Sequence, residues 1–420
     1  MLKSKVKKTA GLTSLLIVVA ALGFLTMHLD MGASAAAPTP SPTNGPSPTT
    51  GPVPTSCNGP TVNADRTVTF CLTAPQASDV QLNFQNMLGL SPAADAFPMA
   101  KTDNGIWYIT MGSLEPNWYG YGFIVGGARI ADPQNRNIWS LDRSAWSNVM
   151  VPGPGTEFMA ETDVPHGAVA TVYYHSNVTQ TERRMEVYTP PGYNRDRRAY
   201  PVFYLLHGGG GNDTDWIANM RANFILDNLI AQRKIAPMVV VMPDMNAGAT
   251  EQSCQRTLEC PAPQELMGSV IPYTEQNYRV LHGAQNRALA GLSVGGDVVR
   301  NALLHYPNAF AYAGFFSGGQ MPPEVITDLT QNHPDLITGL ANSKELKLLW
   351  MSFGGEEALV SNHQHWLAAT EAVFDQYGVK YTYVDGPTFG AIYGHVWDTW
   401  RKDLFVFAPR LFRRAGPAPH

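Results

Sequence analysis

The sequence predicts an α/β fold with a mostly parallel sheet, preceded by a small all-β sandwich. Three observations carry that prediction. From about Thr171, strand-length apolar runs alternate with helix-length stretches, the pattern of a parallel sheet covered on both faces. From Cys57 to about Ala160 the chain instead offers short segments of period-two alternation with turn residues between them, the spacing of a sandwich. Finally, Gly291-Leu292-Ser293-Val294-Gly295-Gly296 follows the run Arg287-Ala288-Leu289-Ala290 and precedes a helical stretch. That is the form of a sharp strand–turn–helix with the serine hydroxyl at its apex.

Taken in order, the chain of 420 residues opens on Lys3, Lys5, Lys7 and Lys8, an apolar run from Leu15 to Met27, and small residues at Ala33-Ser34-Ala35. This reads as an export signal over residues 1–35, with an uncleaved anchor as the competing reading. Residues 36–56 are rich in Pro, Thr, Ser and Gly and predict an extended, mobile linker. In residues 57–160, strands are expected at Thr67–Phe70, Val80–Phe84, Ile106–Ile109 and Tyr119–Val125. Trp107, Trp118, Tyr119 and Tyr121 are expected to pack in the core rather than bind glycan. In residues 165–414, strands are expected at Met185–Tyr188, Val202–Leu206, Met238–Met242, Arg287–Leu292, Ala311–Phe316, Leu346–Phe353 and Lys380–Val384. Helices are expected near Trp216–Gln232, Gln264–Gln276, Asp297–His305, Asn362–Tyr377 and Val396–Phe412.

A net charge of −5, with no basic block beyond the N-terminus, gives nucleic-acid binding little electrostatic support. The four cysteines lie in the part expected to be exported, to the periplasm, the cell surface or the medium, where disulfides persist. Proximity favours Cys57–Cys71 and Cys254–Cys260. No second half-site accompanies the Cys254/Cys260 pair, so no metal is expected, and no cofactor is called for.

A serine cleaves an ester only if a base removes its proton and donors stabilise the oxyanion. Ser293 supplies the nucleophile. His395 is the best base, since it follows the last predicted strand across the Gly386–Gly394 loop and begins the C-terminal helix. The acid is Glu357, just after the Leu346–Phe353 strand, with Asp385 after the next strand as the alternative. Oxyanion donors are expected at the backbone N–H of Val294 and of Gly209, within the run His207-Gly208-Gly209-Gly210-Gly211. No Lys-Ser/Thr follows those glycines, which removes a phosphate-cradling reading. His363 and His365 sit two apart on a predicted helix, share no face, and read as solvated. The long loop from Asn246 to Gln264 is expected to shape the acyl pocket.

Residues 165–414 resemble the esterase D / feruloyl esterase group of α/β-hydrolases, which includes enterochelin esterases, acetylxylan esterases and mycolyltransferase-like antigens. The resemblance rests on Tyr188-Thr189-Pro190-Pro191-Gly192-Tyr193, Tyr200 to Gly208, Val240 to Asp244, Ile271 to Val280, Asn286 to Ser293 and Gly394 to Trp400. It implies a serine, acid and histidine at Ser293, Glu357 and His395, with glutamate where the group usually carries aspartate. It also points to Asn246, in Asn246-Ala247-Gly248, near the acyl pocket; Trp216 and Trp397 are further substrate-binding candidates. Phe70 to Pro75, Gly105 to Trp107 and Ile130 to Asn135 are similar to early-set, immunoglobulin-like domains that precede some esterases. The expected activity is hydrolysis of feruloyl or related acyl esters on polysaccharide. Siderophore esterase, acetylxylan esterase and acyltransferase are the enzymatic alternatives, and an inactive glycan-binding protein the non-enzymatic one.

Overall fold

The computed structural model describes residues 46–86, 93–141, 144–246, 251–357 and 361–412. The export-signal reading falls outside them. Among the described residues no helix is long and apolar enough to cross a membrane.

The larger sheet has eight strands, numbered here within the sheet: β1 (Ala168–His175), β2 (Glu182–Thr189), β3 (Val202–Leu206), β4 (Val239–Pro243), β5 (Arg287–Leu292), β6 (Tyr312–Phe316), β7 (Leu348–Phe353) and β8 (Thr382–Asp385). Their spatial order is β1-β2-β4-β3-β5-β6-β7-β8. β2 pairs antiparallel with both β1 and β4, and every later pairing is parallel. Apolar residues occupy β3, β4 and β6 at every position and all are buried, as helices on both faces of a parallel sheet require. This is the α/β-hydrolase architecture.

The helices that matter to the site are α1 (Ala222–Ala231), α2 (Val294–His305), α3 (Ser361–Tyr377) and α4 (Trp397–Phe407). The single helix expected over Trp216–Gln232 is broken in two. The N–H groups of Asn219 and Met220 both return to the Asp215 carbonyl, and Arg221 adopts φ 58°, so α1 starts afresh. β1 was not anticipated: its side chains are mostly exposed, so its alternation carries little burial signal.

The N-terminal part forms two antiparallel sheets. They pack face to face through Phe70, whose ring lies 5.8 Å from Phe84 and 4.7 Å from Tyr121. Trp107, Trp118, Tyr119 and Tyr121 are all buried. Ser47–Thr49, inside the stretch expected to be a mobile linker, pairs with Thr110–Gly112 at a sheet edge. The extended conformation favoured by its proline and threonine suits that edge position. Cys57–Cys71 and Cys254–Cys260 are both bonded.

This β region is packed tightly onto the hydrolase sheet's surroundings. Arg401 of α4 is fully buried and donates to Asn117 Oδ1 at 3.1 Å, the Trp118 carbonyl at 3.4 Å and the Asn219 carbonyl at 3.2 Å. The Arg221 guanidinium covers the Trp118 ring at 4.5 Å and donates to the Met159 carbonyl at 2.8 Å. Trp139, from the paired strands Ile138–Leu141 and Ser144–Val151, meets Trp397 edge-on at 5.5 Å.

Candidate active site

β5 ends at Leu292, and Ser293 takes φ 51°, ψ −124°, a region that disfavours any residue with a Cβ. Such a conformation costs about 1–3 kcal/mol and persists only where the surroundings enforce it. Here the Ser293 N–H donates to the Phe316 carbonyl of β6 at 2.8 Å, and the Gly296 N–H donates to the Ser293 carbonyl at 2.8 Å. The flanking glycines are steric necessities. A Cβ on Gly291 would lie 2.4 Å from the carbonyl carbon of Gly295, and one on Gly295 would lie 2.4 Å from the His207 carbonyl oxygen.

His395 stands between Ser293 and Glu357. Its Nε2 is 2.9 Å from Ser293 Oγ, and its Nδ1 is 2.9 Å from Glu357 Oε1. The carboxylate fixes the tautomer: Nδ1–H donates to Glu357, which leaves Nε2 to accept the serine proton. Glu357 is 2% exposed. Burial alone would raise its pKa. The charge and hydrogen bond of His395, with His363 and Ser317 close by, outweigh burial and hold the carboxyl well below the usual range. Asp385, the alternative acid, is exposed at the end of β8. Trp400 meets the His395 ring edge-on at 4.8 Å and Trp397 at 4.9 Å.

The glycine run lies against the serine. A Cβ on Gly208 would sit 3.2 Å from Ser293 Cβ, so Gly208 borders the serine side chain. Val294 begins α2 directly after the serine, where unpaired helix N–H groups point outward. His207 braces the run: its Nδ1–H donates to the Gly208 carbonyl at 2.7 Å, and its Nε2 accepts the Met245 N–H at 3.0 Å.

Two of the substrate-binding candidates are corrected. Trp216 is fully buried, donates its indole N–H to the Leu206 carbonyl at 3.0 Å, and packs on Phe316. It is a core residue beneath the site. Trp397, 5% exposed, is sandwiched between Trp139 and Trp400 and shapes the base of α4 rather than a binding surface. Asn246 is exposed at the rim and donates its amide to the Gly211 carbonyl at 2.9 Å. It therefore ties the start of the Asn246–Gln264 loop to the glycine run.

Residues 247–250 of that loop fall outside the described ones. The disulfide-closed part docks on α2. Arg300 donates to the Cys254 carbonyl at 2.7 Å and pairs with Asp297 at 2.8 Å, and Asn301 donates to the Thr257 carbonyl at 3.0 Å. Burial raises the Asp297 pKa to about 6, against the pull of Arg300.

His363 overturns its expected solvated role, because its Nδ1 lies 3.2 Å from Glu357 Oε1. Its place just after the acid in sequence was the available signal. Trp139, from the β region, had none.

A family model described as "Putative esterase" matches residues 176–411. An endo-1,4-β-xylanase/feruloyl esterase of Xylanibacter ruminicola is 30% identical over 84% of this chain and 46% of its own length. An endo-1,4-β-xylanase Y of Acetivibrio thermocellus is 25% identical over 46% of this chain and 18% of its own length. The chain thus spans less than half the length of these curated relatives. Among solved structures, an enterochelin esterase of Shigella flexneri superposes with TM-score 0.58 at 18% identity, covering 85% of this chain and 96% of that one. That likeness is one of fold.

Proposed function

Since the chain belongs to the esterase family, we propose that it is an exported serine esterase that removes feruloyl-type acyl groups from polysaccharide. Ser293 would be the nucleophile, His395 the base and Glu357 the acid. One observation carries the reading: Ser293 Oγ, both His395 ring nitrogens and Glu357 Oε1 form an unbroken line of 2.9 Å contacts beside a glycine run.

His395 Nε2 takes the hydroxyl proton as Ser293 Oγ attacks the ester carbonyl. Glu357 stabilises the imidazolium that forms. The N–H groups of Val294 and Gly209 hold the oxyanion, each worth roughly 10²–10³ in rate in such sites. The alcohol leaves with the proton from His395, and water repeats the sequence on the acyl-enzyme. The feruloyl preference is supported by the name of the Xylanibacter relative, whose similarity spans most of this chain. Export is supported by the basic and apolar N-terminal segment and by the two disulfides.

The test is turnover of methyl ferulate, feruloylated arabinoxylan, acetylated xylan and a catecholate siderophore by the wild type and by Ser293→Ala. Feruloyl esters should have the highest kcat/KM, and the variant should lose several decades of rate. Preference for the siderophore would refute the proposed substrate. Retained turnover by Ser293→Ala would refute the mechanism.

A further inference from the structure

We infer that His363 is a positioning residue for Glu357, a second imidazole holding the carboxylate in place for His395. The inference rests on the assignment of Ser293, His395 and Glu357 above. His363 lies in the first turn of α3. Its Nδ1 is 3.2 Å from the same Oε1 that His395 Nδ1 approaches at 2.9 Å, and the two rings stand 6.3 Å apart at 72°. One carboxylate oxygen thus lies between two imidazoles.

Glu357 is shielded from solvent, so its donors must come from the protein. Oε2 has the Gly354 N–H at 3.4 Å, a long contact. A ring nitrogen this close to an ionised carboxylate carries its proton, because two lone pairs would repel. His363 Nδ1 is itself cut off from water and makes no well-aligned hydrogen bond, so the Glu357 carboxylate at 3.2 Å is the charge it faces. Trp366, nearly parallel to the ring at 6.5 Å and 16°, sets its plane. Glutamate has one more torsion than aspartate, and therefore more side-chain freedom to lose when it is held. A donor on the side away from His395 removes that freedom. Asp403, Tyr383 and Asp297 are the other titratable groups near this cluster, and they act on Glu357 or His395 through space.

The experiment measures kcat, KM and the pH profile of kcat/KM with p-nitrophenyl acetate for His363→Ala and His363→Asn, alone and with Glu357→Asp. His363→Ala should lower kcat about tenfold at unchanged KM, the scale of one hydrogen bond to a charged group expressed as a rate. Its acidic limb should move to higher pH, because a carboxylate no longer shared stabilises the His395 imidazolium more strongly. His363→Asn, which restores an N–H donor, should recover most of the rate. In the Glu357→Asp background the shorter carboxylate cannot reach both rings, so His363→Ala should have little further effect.

Wild-type kinetics and pH profile in His363→Ala, or equal impairment of the Ala and Asn variants, would overturn the inference. If His363→Ala does not fold, His363→Asn and His363→Gln are compared for the same pH shift. Ser293→Ala and Glu357→Gln run alongside. Activity in those two refutes the triad assignment itself, whereas their inactivity beside unaffected His363 variants refutes only the role of His363.

Discussion

Replacing Asp403 by asparagine should make the protein more stable at neutral pH and less stable in acid. Asp403 lies on α4 with no exposed surface, and neither carboxylate oxygen is in hydrogen-bonding geometry with a partner. Burial pushes its pKa well above the ordinary range, and the negative charge of Glu357 adds to the effect. In the unfolded chain an aspartate titrates near 3.9. Between that value and the raised native one, the folded state binds the extra proton. Stability from this group is therefore complete below the unfolded pKa and declines as pH rises, by about 1.4 kcal/mol per pH unit. At pH 7 the loss reaches at most about 4 kcal/mol. Asparagine does not titrate but buries an additional amide hydrogen, at a cost of about 1–3 kcal/mol. The net expectation is a gain of at most about 1–3 kcal/mol at pH 7 that reverses between about pH 5 and pH 6. Urea unfolding of both proteins from pH 4 to 8 measures it. A stability difference that does not change with pH would show that Asp403 is not held protonated.

Glu357→Gln should reduce kcat by several decades while Asp385→Asn leaves it near wild type, because only Glu357 touches His395. Steady-state kinetics on both folded variants checks the order. Gly295→Ala should destabilise by about 3 kcal/mol or more, since its methyl group would press on the His207 carbonyl, a backbone atom that cannot rotate away. Thermal unfolding measures the loss. A Cys254→Ser/Cys260→Ser double variant should raise KM for bulky aryl esters and leave acetate esters nearly unchanged. Its melting temperature should fall only modestly, because so short a ring restricts the unfolded chain little. Equal KM changes on both substrates would contradict a pocket role for that loop.

The hydrolase sheet was legible because its strands are continuous apolar runs, and Ser293 because its glycines are dictated by steric contact in one local turn. Glu357 was legible because it closely follows a buried strand whose end can be found from hydrophobicity, and His395 because it stands between a glycine-rich loop and the last helix. The exposed β1 strand was not legible, having one face in solvent and little burial to mark it. The roles of Trp216 and Trp397 were misread because an aromatic beside a site in sequence can turn into the core as easily as toward substrate. His363 was missed because helical spacing to His365 says nothing of how near the first turn of α3 comes to Glu357. The contact of Trp139 with Trp397 depends on how two separately patterned regions meet, which no local period encodes.

Arg401 sets a rule for recombining this protein with others. Its guanidinium finds acceptors on both the β region and the hydrolase part, and Trp139 covers the tryptophan that packs beside the catalytic-histidine candidate through Trp400. A chimera that grafts a foreign leading domain before residue 165 would strand a buried cation and bare an indole face. A viable swap therefore has to carry acceptors equivalent to Asn117 and Trp118 and an aromatic equivalent to Trp139. Recombination along this seam is constrained by a handful of side chains rather than by the length of the segment between the two parts.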